Sequence, residues 1–185
     1  MKTIGKKVSY EQTPEKLLIN INGRGTKKQV NLVILWLLLW TICGTILIVE
    51  LFADYSGQQK IVLGVMVAFW LYFEYAVYYI YRWRKGGIEI LKIQGDTMTY
   101  SREINGVGKV QTFDATQVRN LKMVDYEDSD FQRAYYKSWY SIGGEMVQFT
   151  INGREHRVAM QIEEDDAKKL LKVIDKALPV LGDRG

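Results

Sequence analysis

With 185 residues, one cysteine and one histidine, the chain offers no disulfide framework and no thiolate metal site. Its net charge of +4 is not spread as a nucleic-acid-binding face would be: residues 1–29 carry seven basic and two acidic side chains, whereas from Arg82 onward seventeen basic side chains meet sixteen acidic ones. The excess sits beside an apolar stretch, where anionic headgroups attract each cation with about 1 kcal/mol, so membrane lipid is an expected partner and nucleic acid is not.

In chain order, residues 1–29 form an N-terminal segment in which Lys16 to Asn22 (KLLININ) alternates as a short strand. One strand is not stable alone, so it is expected to pair with the sheet of a later domain. The turn Asn22-Gly23-Arg24-Gly25 then leads to Lys27 and Lys28. Residues 30–83 read as two transmembrane helices, 30–52 and 61–83. The first has no charge from Val30 to Val49, and twenty such residues at about 1.5 Å each match a hydrocarbon core of about 30 Å. The short connection makes the pair an antiparallel hairpin. Basic residues flank it on both sides (Lys27 and Lys28 before, Arg82, Arg84 and Lys85 after), while Glu50, Asp54 and Lys60 mark the connecting loop. Cytoplasmic loops keep the Lys and Arg excess, so both termini are expected in the cytoplasm, with these five side chains as topology anchors at lipid headgroups. A cleaved signal peptide does not fit, because its apolar core is shorter and lies nearer the start.

Within the hairpin, Trp36, Trp40 and Gly44 form one stripe. Gly44 and Gly64 mark either a close helix contact or lipid-facing surface. The second helix ends in an aromatic belt of Tyr72, Tyr75, Tyr78, Tyr79, Tyr81 and Trp83, suited to the headgroup level. Glu74 is its one acid. Intramembrane carboxylates face protein or water, and Glu74, Tyr78 and Arg82 share a face at four-residue spacing, so an intramembrane polar contact is expected there.

Residues 84–185 change to period two and form the soluble domain. Strands are expected at Ile88–Ile93, Thr97–Ile104, Lys109–Phe113, Val118–Val124, Glu145–Ile151 and Arg154–Met160, with Asn152-Gly153 as a tight hairpin turn. A last helix from about Glu163 to Leu178 has apolar residues at helical spacing and acids at its start. The fold class is therefore a membrane helical hairpin plus an α+β domain, a small antiparallel barrel or sandwich capped by a C-terminal helix. A hairpin followed by GIEILKI, KVQTFDATQVRNL and GGEMVQFTINGREHRV, with KLLININGRG ahead of it, resembles the bacterial membrane-anchored proteins with a pleckstrin-homology-like (PH-like) domain. That resemblance implies a location in the bacterial inner membrane.

No catalytic motif, metal-ligand set or cofactor fingerprint is present, so neither an enzyme nor a cofactor is expected. His156 reads as a solvated strand position, and the acidic run Asp125 to Asp130 as a solvated loop lacking the pattern of a calcium loop. In Phe131 to Tyr140, the residues Tyr135, Tyr136, Trp139 and Tyr140 are either core or a candidate interaction surface, being of the types enriched at interfaces. The expected function is that of a scaffold or accessory subunit of a larger membrane complex, bound to a membrane-protein partner or to further copies of itself. The alternatives are a module that reads anionic lipid and, third, a small oligomeric channel or transporter.

Overall fold

A computed structural model describes residues 1–126, 138 and 141–178. The chain divides into two compact units, Met1–Arg24 with Gly86–Gly185, and Gly25–Lys85.

The first unit is α+β. Its larger sheet is an antiparallel meander of six strands, β1 (Lys2–Ile4), β2 (Val8–Gln12), β3 (Lys16–Asn22), β4 (Gly87–Gln94), β5 (Thr97–Ile104) and β6 (Val107–Asp114). A single 3-10 turn, Ala115–Gln117, leads to a smaller sheet of β7 (Arg119–Met123), β8 (Glu145–Ile151) and β9 (Arg154–Met160). The expected strand before the helices is present and pairs with β4 from Lys16↔Gln94 to Asn22↔Ile88. Two more strands precede it. Period two in β3 and β4 puts Leu17, Ile19, Ile21, Leu91 and Ile93 on one buried face. They meet Val147, Phe149, Ile151 and Val158 of the small sheet and Ala167, Leu170 and Ile174 of helix α3 (Glu164–Ala177). Each such side chain contributes about 1.5–3 kcal/mol when fully buried. Acidic Glu164, Asp165 and Asp166 occupy the first turn of α3 and Lys176 its last, an arrangement the helix dipole favours.

Of the expected small barrel or sandwich, the barrel is corrected: the two antiparallel sheets do not close. Six strands stand against three, and β6 is exposed along its length except for the half-buried Phe113. Nor, among the described residues, does a strand lie beyond β9.

The second unit is a pair of helices, α1 (Lys27–Glu50) and α2 (Gly57–Gly86), both long and apolar enough to cross a bilayer. Thr26 caps α1 in a reciprocal box with Gln29: the Gln29 amide donates to Thr26 Oγ1 at 3.3 Å and the Thr26 amide to Gln29 Oε1 at 2.9 Å. The last turn of α2 returns beside this cap, where the Gly25 amide donates to the Arg84 carbonyl at 2.9 Å. Large apolar side chains such as Leu38, Ile42, Phe69 and Tyr72 are exposed all round the pair.

Candidate functional site

Between the helices Thr41 and Glu74 form a contact of polar side chains. Thr41 Oγ1 lies 2.9 Å from Glu74 Oε1 and 2.8 Å from the Leu37 carbonyl, so its single proton serves both acceptors. Glu74 Oε2 is buried without a hydrogen-bond partner. Tyr78 and Arg82 share the expected face by sequence, but both are exposed, and no hydrogen bond or ion pair joins either of them to Glu74. Beside this contact Gly44 is buried under Trp70, whose Nε1 donates to the Trp40 carbonyl at 2.9 Å. A Cβ on Gly44 would run into the Trp70 ring, whereas Gly64 has open space around it. Of the two glycines, then, only Gly44 makes the close contact. Lys27, Lys28, Arg82 and Lys85 are exposed, and Arg84 is buried. Lys85 Nζ donates to Tyr81 Oη at 3.2 Å.

In the soluble unit the polar centre is Glu89, which sequence reasoning passed over. Alternation in β4 puts Gly87, Glu89, Leu91 and Ile93 in one buried phase, so a carboxylate stands where a core residue is due. That phase error was the available signal. Glu89 is 1 % exposed. It accepts from the Ala159 amide at 2.9 Å, the Met160 amide at 3.1 Å and Tyr100 Oη at 3.1 Å. Arg102, its direct cross-strand neighbour, stands 3.9 Å away and donates to Tyr100 Oη at 2.7 Å and to Glu145 Oε1 at 2.6 Å. The carboxylate thus links the larger sheet to two amides of β9. Ala159 reaches it by adopting φ +66, the left-handed region that costs a residue with a Cβ about 1–2 kcal/mol.

Burial pushes the Glu89 carboxyl above the ordinary glutamate range, against the opposing pull of Arg102 and the three hydrogen bonds. Burial likewise raises Tyr100, with Glu89 adding to it. For Arg102 burial works against the charge, but Glu89, Tyr100 and Glu145 outweigh it and raise its pKa. All three groups are committed to one another, and the arrangement holds sheets together.

Next to this network lies a cleft of about 360 Å³. Tyr100 and Arg102 of β5 and Lys109, Gln111 and Phe113 of β6 form one wall, and Glu155, His156, Arg157 and Val158 of β9 form another. His156 is half-buried, stacked on Phe149 at 5.6 Å and edge-on to Phe113 at 4.7 Å, which corrects its reading as a solvated position. Lys109 has no hydrogen-bond or ion-pair partner among the described residues. Among those residues no group of three or more His, Cys, Asp or Glu is placed to hold a metal ion. Tyr135, Tyr136, Trp139 and Tyr140 lie outside the described residues. No protein-family model matches the chain, and no curated protein sequence matches it.

Proposed function

We propose that this chain is a non-enzymatic protein of a bacterial inner membrane, anchored by its helical hairpin and presenting a PH-like domain to the cytoplasm as a scaffold or accessory subunit. One observation carries the reading. The helices are inserted between β3 and β4, which are neighbours in one ladder, and the Gly23 amide still donates to the Gly87 carbonyl at 3.1 Å. This supports a hairpin whose two ends emerge on one side of a membrane, and the basic residues at those ends favour the cytoplasmic side. The polar groups of the domain support binding over chemistry, since Glu89, Tyr100 and Arg102 satisfy each other. The lipid-reading alternative loses its best cation for the same reason: Arg102 is held by Glu145.

The test is purification of the full chain in mild detergent, with sizing and mass spectrometry of what accompanies it. A larger membrane protein in fixed ratio is expected. A clean assembly of this chain alone overturns the subunit reading.

A further inference from the structure

The cleft beside β9 is bordered by a strand edge. Four successive residues of β9, Glu155 to Val158, line it, and side chains of both parities do so only where the strand's rim faces the opening. The hairpin register says which main-chain groups are there. Asn152 and Gly153 have φ +50 and +74 and form a two-residue turn of the I′ kind. The flanking pair Ile151–Arg154 exchanges hydrogen bonds, and alternate pairs do so thereafter, at Phe149–His156 and Val147–Val158. The N–H and C=O groups of Glu155 and Arg157 therefore point away from β8. Ala159 is next in that phase, and its amide goes to the Glu89 carboxylate. Among the described residues no strand pairs with this edge, and one side chain ends it where another strand would continue.

The wall opposite is also incomplete. Lys109 and Gln111, on the inward face of β6, are exposed and without hydrogen-bond partners among the described residues, and Phe113 is half covered. A fourth strand in the small sheet would cover them.

We propose that the edge of β9 accepts an extended segment of a partner protein as this fourth strand, with an acidic side chain at Lys109 and an apolar one over Phe113. The inference rests on the scaffold reading and names what the scaffold holds. Charge selects the occupant. Arg102 is paired with Glu145, and Arg157 approaches Glu155 at 3.6 Å, so Lys109 is the cation left over. Main-chain bonds to Glu155 and Arg157 supply affinity, and the side-chain positions supply selectivity.

The probe is a labelled octapeptide with threonine at alternate positions and glutamate or valine between them, titrated against the full chain in detergent. A second peptide carries lysine in place of glutamate. The wild type is expected to favour the glutamate peptide about tenfold, and Lys109→Glu to reverse the preference. Arg157→Pro removes an outward amide without breaking a bond to β8, and binding should fall at least tenfold. Should that variant misfold, the glutamate peptide methylated at alternate backbone nitrogens asks the same question of the unaltered protein, and it should not bind. Equal binding of the methylated peptide, or no change of preference in Lys109→Glu, overturns the proposal. So does a wild-type dimer that Arg157→Pro dissolves, because the occupant is then a second copy. If a membrane partner co-purifies equally with Arg157→Pro, the scaffold reading stands and this site falls. If the peptide binds as expected but no partner co-purifies, the edge stands and the subunit reading falls.

Discussion

Glu89 shows how one side chain holds two sheets. Glu89→Ala leaves two β9 amides and Tyr100 Oη without their acceptor and Arg102 without a buried counter-charge, and removing one partner of a buried pair costs about 3–5 kcal/mol. Thermal unfolding in detergent should show a large drop in Tm. Glu89→Gln keeps the volume but turns an NH2 toward one of those amides, for a loss of about 1–3 kcal/mol. Because burial raises the Glu89 pKa in the folded chain, the folded state keeps this proton to higher pH than the unfolded one. Its contribution to stability is thus greatest in acid and is lost as pH rises from the ordinary value of about 4.3 through the raised one. The Tm of the wild type minus that of Glu89→Gln should grow as pH falls through that window. Ala159 gives a second check. A β-branched Val at φ +66 in a fully buried position adds strain of about 1–3 kcal/mol. Ala159→Gly relieves about 1–2 kcal/mol against a flexibility cost of about 0.5–1 kcal/mol, so it should leave stability equal or slightly higher. Glu89 was legible as a charge in the wrong phase of β4, whereas its acceptor role was not, since Ala159 is seventy residues away.

At the level of elements, the stripe Trp36, Trp40 and Gly44 is visible in the sequence of α1, and the first two rings stack at 5.1 Å. That Trp70 fills the space over Gly44 is not visible, because nothing in one helix fixes its register against another. The two kinds of contact between the helices can be ranked. An interhelical hydrogen bond in a membrane averages about 0.6 kcal/mol, so Glu74→Ala or Thr41→Val should loosen the pair only slightly. Gly44→Leu drives a side chain into the Trp70 ring, and overpacking of this kind costs about 1–3 kcal/mol. Disulfide trapping between cysteines placed on the two helices should fall more for Gly44→Leu than for either polar variant. Strands β1 and β2 escaped sequence reading for a local reason: they are three and five residues long, with only Ile4, Val8 and Tyr10 to show a buried phase.

For the whole molecule, the hairpin and strands β3 to β6 follow from periodicity, but closure of the sheets does not, since it depends on what meets the edges of β6 and β9. Topology is testable directly. In a Cys43→Ser background, Ser56→Cys lies in the interhelical loop and should react with an impermeant maleimide added outside intact cells. A cysteine replacing Lys6, in the turn between β1 and β2, should react only after lysis. The placement of the helices between β3 and β4 also sets an order of events during synthesis. Ile19 must wait for Leu91, its partner in the ladder. At about 5–20 residues per second the ribosome needs roughly 4–15 s to make the intervening chain. Throughout that delay the first three strands hold an apolar face with nothing across it, while, on the proposed reading, both helices go into lipid. A ribosome stalled before Gly87 would leave that face open to aggregation, and insertion of the anchor becomes a kinetic checkpoint for folding of the domain.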